Sequence, residues 1–192
     1  MSKDDDELIA DCLQGQTDAF GVLVLRYENR LFNTLIGVLG SAEDARDVAQ
    51  DAFVLAFQKI HTFRRQSAFY SWLFRIALNS AASRQRKRNR VHVSLEATRE
   101  RSGAEPVETH PAAQPEFALD VAERQALVRA ALAQLSDEFR TVLVLKEMDD
   151  LSYEEIAEIV DCPIGTVRSR IHRARLELRT RLKALLKEPS ER

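Results

Sequence analysis

Between Ser152 and Leu182 the chain carries one pattern that admits few folds: a capped helix, a proline break, and a second helix with a basic outer face. Ser152-Tyr153-Glu154-Glu155 is a capping box, in which the serine hydroxyl accepts from the amide three residues on and the glutamate reaches back. Ile156, Ala157 and Val160 give this short helix its inward face. Asp161-Cys162-Pro163 ends it, because proline has no amide proton and biases the preceding residue away from helical angles. Gly165 or Thr166 then opens a second helix, with Val167, Ile171, Ala174 and Leu178 on one face at spacings of four, three and four. Helix, tight turn and helix, with the small Ala157 near the crossing, is the layout that sets a second helix into a major groove. Arg168, Ser169, His172, Arg173 and Arg175 then face outward. Arginine pairs with a guanine edge in two-pronged fashion or grips phosphate, and Ser169 and His172 suit a base or sugar-phosphate contact. An arginine-rich helix alone is as often a solvated face. The cap, the break and the phase of the arginines against the apolar stripe decide for DNA.

Charge supports this. Residues 163–192 carry nine basic and three acidic side chains, whereas residues 118–162 carry four and eleven. The net charge of −2 therefore hides a basic element beside an acidic one.

The rest of the chain also reads as helix. Only 6 glycines and 5 prolines occur in 192 residues, and no strand pattern or internal repeat is present. Asp4 to Gly15 is a short helix. Thr17 is placed to cap a second, whose stripe runs from Phe20 through Leu23, Tyr27, Leu31 and Leu35 to Val38, with Gly40 as its stop. Ser41 caps a third, with Ala45, Val48, Ala49, Ala52, Phe53, Ala56, Phe57 and Ile60 on one face. His61 to Gln66 interrupts. Ser67 is placed to cap a fourth helix, whose face includes Phe69, Tyr70, Trp72, Leu73, Ile76, Ala77 and Ser80 and which ends in Arg84-Gln85-Arg86-Lys87-Arg88-Asn89-Arg90, five basic residues in seven.

Residues 91–117 differ in kind. Pro106, Pro111 and Pro115 fall among Glu, Ala, Thr and Ser without periodicity, which predicts a flexible linker. As a coil it spans about 30 Å, and fully extended about 90 Å. The expected organisation is all-α: a four-helix domain over 5–90, the linker over 91–117, and a second helical domain over 118–187. In the latter, Leu119, Ala122, Leu127, Ala131 and Leu135 form one stripe, and Ser136 caps a helix that buries Phe139, Val142 and Leu143.

Several function classes are disfavoured. No apolar run approaches the roughly 20 residues needed to cross a bilayer, and acidic Met1–Glu7 has no apolar segment behind it, so the cytoplasm is the expected compartment. Cys12 and Cys162 read as reduced thiols. The four histidines, His61, His92, His110 and His172, show no metal-ligand spacing, and no phosphate loop or activated nucleophile stands out. Neither enzyme nor cofactor, metal or small-molecule substrate is expected.

Two ordered blocks resemble the extracytoplasmic-function sigma factors of bacterial RNA polymerase, in the sigma-70 family. Asp150-Leu151-Ser152-Tyr153-Glu154-Glu155-Ile156-Ala157, followed by Cys162 to Arg175, looks like region 4. Asp44-Ala45-Arg46-Asp47-Val48-Ala49-Gln50-Asp51-Ala52-Phe53 and the stretch Phe63 to Asn79 look like region 2. The resemblance implies that Asp47, Gln50, Asp51 and Phe53 dock on the clamp helices of the polymerase β′ subunit. It implies that the fourth helix and the loop before it read the −10 element, trapping an extruded base, with His61, Phe63, Arg64, Phe69, Tyr70 and Asn79 as candidates. Arg84, Arg86, Lys87 and Arg88 would follow the promoter backbone, with the salt dependence of such contacts. In region 4, Arg168, Ser169, His172 and Arg173 would read the −35 element, supported by Thr166, Arg140 and Arg175, while that region rests on the β flap. Family members are usually held inactive by an anti-sigma factor, often membrane-bound.

Without the resemblance, Asp47 and Asp51 read as ordinary solvated acids at i, i+4, and Phe69, Tyr70 and Trp72 read as core, a reading kept for Trp72 even with it. A stand-alone helix-turn-helix regulator, binding an operator as a dimer, is the alternative reading. It leaves the aromatic block at Phe63–Trp72 and the basic run after it unexplained.

Overall fold

A computed structural model describes residues 3–95 and 115–186, with side chains over 3–88 and 123–186. Every regular element among the described residues is a helix: α1 (Asp5–Leu13), α2 (Thr17–Leu39), α3 (Ala42–Lys59), a 3-10 turn (Ile60–Thr62), α4 (Phe69–Leu95), α5 (Pro115–Ala133), α6 (Asp137–Glu147), α7 (Tyr153–Val160) and α8 (Ile164–Leu185). They fall into two compact units. One holds α1 to α4, the other α5, α6, α8 and the greater part of α7.

In the first unit, local chemistry sets the helix ends. Asp4 caps α1 in a full capping box with Glu7. Gly40 closes α2 at φ 73, a left-handed angle that glycine adopts without penalty. Ser41 caps α3 by accepting from the Asp44 amide. Two expected caps are not used. Gln16, not Thr17, precedes α2 and makes no side-chain cap bond, because Thr17 is already helical. Ser67 lies two residues before α4, with Ala68 between, so its hydroxyl is out of register for the first turn.

The core of this unit is the apolar face of each helix: Ile9 of α1, Leu23, Leu31 and Leu35 of α2, Ala45, Val48 and Ala52 of α3, and Leu73, Phe74 and Ala77 of α4 are all essentially inaccessible. The alanines of α3 allow close approach to α2 and α4, and each large side chain so buried is worth about 1.5–3 kcal/mol. Phe57 sits at the edge of this face, 43% exposed, with its ring edge-on to Phe20 at 5.1 Å.

In the second unit, Leu135, Leu143 and Ala174 form a buried cluster against which Leu132, Phe139 and Leu178 pack, tying α5 and α6 to α8. Ser136 caps α6 and Ser152 caps α7 in the expected capping box with Glu155. Asp161 ends α7 in the left-handed conformation, φ 50, and the chain turns through Pro163 directly into α8 at Ile164, ahead of the expected Gly165 or Thr166. Val167, Ile171 and Ala174 are buried as their spacing requires.

Two boundaries differ from expectation. α4 continues five residues beyond Arg90, and α5 begins at Pro115, where proline suits a first helical position. The centre of the expected linker, 96–114, lies outside the described residues, as do the side chains of Leu119 and Ala122 and the end of the chain from 187.

Candidate nucleic-acid interface

α8 presents its polar side as the helical phase demands. Arg168, Ser169, His172 and Arg173 are all exposed, opposite the buried Val167, Ile171 and Ala174. Thr166 is half-buried in the first turn, and its carbonyl accepts from the Ser169 hydroxyl at 2.9 Å. The exposed row thus has two arginines, a histidine and a serine hydroxyl within about a turn and a half of helix, enough to line a major groove.

Two further expected members of this group are engaged elsewhere. Arg175 donates through Nε and Nη2 to one Glu147 oxygen at 2.9 and 2.6 Å, and this bond raises its affinity for the proton further. Arg140 lies 2.5 Å from Asp137, with its side chain only 14% exposed. Both belong to ion pairs involving α6; Arg140 is largely covered in its pair, whereas Arg175 stays about half exposed and within reach of phosphate. Sequence spacing gives no sign of the Arg175 pair, because Glu147 is 28 residues away.

Tyr153, absent from the expected set, flanks the row. The Arg168 guanidinium lies 5.7 Å from the centroid of its ring, and the Lys146 ammonium 5.9 Å. Both cations lie within about 6 Å of the ring, the range in which an aromatic quadrupole attracts a positive charge. Arg170, on the same helix, is turned to α6, with Nη2 2.8 Å from Glu138.

In the first unit, the 3-10 turn leaves His61 exposed, and the loop between it and α4 leaves Arg64 exposed and Phe63 half-buried; on α4, Asn79 is exposed. Phe69 and Tyr70 are not open to a base. They are 3% and 2% exposed, and belong to the core with Trp72. The phase of α4 turns them inward: Phe69 packs on Tyr27, Phe63 and Trp72, and the Tyr70 hydroxyl donates to Thr34 at 3.2 Å under a covering Arg30 guanidinium. Stacking an extruded base on either ring would require breaking that core, so both are corrected to structural residues. Of the aromatic candidates, Phe63 alone keeps part of its ring accessible.

The expected polymerase-facing acids and DNA-facing bases meet each other. Arg84 of α4 reaches Asp47 at 2.9 Å and Asp51 at 3.1 Å on α3, and Arg88 reaches Asp44 at 3.4 Å. Arg86 donates to Ser83 at 3.0 Å, and Lys87 is exposed. Gln50 is exposed and Phe53 half-buried on the same helix as the acids. Asp47 and Asp51 are therefore neither free solvated acids nor unpartnered docking groups. Among the described residues no cluster of three or more His, Cys, Asp or Glu is placed to hold a metal, and no helix is long and apolar enough to cross a membrane.

Comparison with known proteins matches both units. Residues 23–91 fit the family profile of Sigma-70 region 2, and residues 125–178 that of Sigma-70, region 4. The RNA polymerase sigma-H factor of Pseudomonas aeruginosa is 39% identical over 188 residues, covering 96% of each chain. The ECF RNA polymerase sigma-E factor of Haemophilus influenzae is 37% identical, covering 95% of this chain and 97% of the relative; that of Escherichia coli K12 is 36% identical, covering 95% and 96%. Among solved structures, the sigma factor RpoE in complex with the anti-sigma factor NepR from Bartonella quintana aligns at TM-score 0.70 and 31% identity, covering 85% of this chain and 96% of that one. CnrH in complex with the cytosolic domain of CnrY aligns at 0.66 and 28%, covering 94% and 97%.

Proposed function

This chain belongs to the sigma-70 family, in its extracytoplasmic-function group, and on that premise we propose how its two halves divide the work of directing RNA polymerase core to promoters. The exposed row Arg168, Ser169, His172 and Arg173 on α8 reads the −35 element, with Thr166 beside the backbone. The exposure of all four, in phase with a buried apolar stripe, is the observation that carries this reading. The 3-10 turn with His61, the loop after it with Phe63 and Arg64, and exposed Asn79 on α4 read the −10 element as it is opened. Arg84, Arg86, Lys87 and Arg88 follow the DNA backbone.

Asp47, Gln50, Asp51 and Phe53 form the polymerase-docking side of α3, facing the β′ clamp helices, while the second unit rests on the β flap. An anti-sigma factor, soluble or membrane-bound, holds the protein inactive in the cytoplasm. The complexes in which RpoE and CnrH were solved support that partner class.

The test is run-off transcription from a promoter library by bacterial core polymerase, with and without this protein. Sigma function requires transcripts that depend on the protein and are enriched for two sequence elements at fixed spacing. Tight, specific duplex binding by the protein alone, with no effect on core, would overturn it.

A further inference from the structure

The loop Phe63–Ala68 holds an unusual backbone conformation. Arg65 sits at φ 55, the left-handed region that a long side chain rarely adopts. Its guanidinium points to α1: Nη2 donates to the Asp6 carbonyl at 3.2 Å, and Nε lies 3.6 Å from the Asp6 carboxylate. The neighbouring Asp5 carboxylate accepts from the Arg26 guanidinium and the Tyr27 hydroxyl, and Arg26 also donates to the Lys3 carbonyl at 2.6 Å. The Tyr27 ring in turn packs on Phe69 at 5.6 Å and on Tyr70 at 5.7 Å. Phe63, at the start of the loop, packs on Phe69 at 5.8 Å and Trp72 at 5.2 Å. Between α1, α2 and the loop lies a cavity of about 510 Å³, with Asp6, Tyr27, Phe63 and Arg65 in its wall.

The loop is thus anchored at its two ends by aromatic packing and in its middle by its own Arg65, held on Asp6 of α1. We propose that Asp6 and Arg65 are positioning residues for −10 recognition, α1 strapping the reading loop into place before promoter DNA arrives; this rests on the reading of that loop given above. With Arg65 turned to α1, the adjacent Arg64 stays solvent-exposed. The Arg65 and Asp6 side chains are 43% and 67% exposed, so the pair adds little to global stability. Its effect is on orientation. A loop held in its bound shape loses less entropy on binding than a free one, and a base-reading geometry tolerates little play.

The experiment is transcription by core polymerase and the full-length protein from templates randomised across the −10 element, read by sequencing the transcripts. The variants are Asp6→Arg, Arg65→Asp and the double exchange. Aspartate tolerates the left-handed angle at 65 better than most residues, so Arg65→Asp does not by itself break the turn. Each single exchange is expected to lower the preference for the favoured −10 bases about two- to fivefold, with −35 preference and thermal midpoint retained. The double exchange, which restores opposite charges in reversed order, is expected to recover part of the preference, because a carboxylate at 65 pairs with the new cation but cannot donate to the main-chain carbonyl at 6. A merely structural role would depress all templates alike and would not be rescued. Undiminished −10 preference in both singles, or no recovery in the double, overturns the strap. Arg64→Ala separates the two levels: if it flattens −10 preference while the exchanges are silent, the strap alone is wrong. If it too is silent, the reading of the loop is wrong.

Discussion

Arg84 of α4 donates to Asp47 of α3 at 2.9 Å, with Asp51 at 3.1 Å on its other side. Residues proposed for two different partners, DNA and polymerase, are thereby each other's partners in the free protein. The pair is nearly half exposed, so its contribution to stability is small, on the order of 0–1 kcal/mol. Its consequence is for binding. Any contact that draws the acids away leaves Arg84 to find another anion, and any phosphate that takes Arg84 releases the acids, so the two events favour one another.

Asp47→Asn with Asp51→Asn should therefore raise the affinity of the free protein for a single-stranded −10 oligonucleotide at low salt, by a few-fold at most. Arg84→Ala should lower promoter affinity of the assembled holoenzyme and reduce the slope of log affinity against log salt by about one. Fluorescence anisotropy across a potassium chloride series measures both. An unaltered slope would remove Arg84 from the DNA contact.

Arg173 and Arg175 are two residues apart and both exposed, but Arg175 is bonded twice to Glu147. Arg173→Ala in holoenzyme should weaken binding to the preferred −35 element by about 1–3 kcal/mol and relax choice at one position. Arg175→Ala should leave that choice intact and cost at most about 1 kcal/mol of folding stability. Competition binding with base-substituted −35 duplexes, alongside thermal melts, separates them.

Tyr153 attracts Arg168 through its ring. Tyr153→Phe keeps the ring and should preserve −35 affinity. Tyr153→Ala should lose about 0.5–1 kcal/mol of it, a factor of about two to five. Equal loss in both variants would shift the role from the ring to the hydroxyl.

The Tyr27 hydroxyl, partly buried and donating to Asp5, has its pKa pushed up to about 12, chiefly by burial. An unfolded tyrosine titrates near about 10, so the folded state favours the protonated form. The stabilisation is complete below about pH 10 and is lost as pH rises through about 12. Chemical denaturation across that window should show a steeper loss for the natural chain than for Tyr27→Phe, which has no proton there to lose.

Helix positions, the caps at Ser41, Ser136 and Ser152, and the polar face of α8 were legible because they depend on neighbours within a few residues. Ser152 and Glu155 are three apart, and the phase of Val167, Ile171 and Ala174 is set by 3.6 residues per turn. That same periodicity turns Arg168, Ser169, His172 and Arg173 outward. The aromatic block was harder. Phe69, Tyr70 and Trp72 could each lie in the core or face a base, and only packing against Tyr27 and Phe63 settled that Phe69 and Tyr70 are core.

What the amino-acid order determined by itself is two all-α domains, two ordered motif blocks and which side of each helix is polar. Which charges are free to meet a partner was decided only in three dimensions. Arg84 finds Asp47 across 37 residues, Arg175 finds Glu147 across 28, and Arg65 finds Asp6 across 59. Long, flexible side chains take the nearest opposite charge in space, and no local rule of spacing contains that distance.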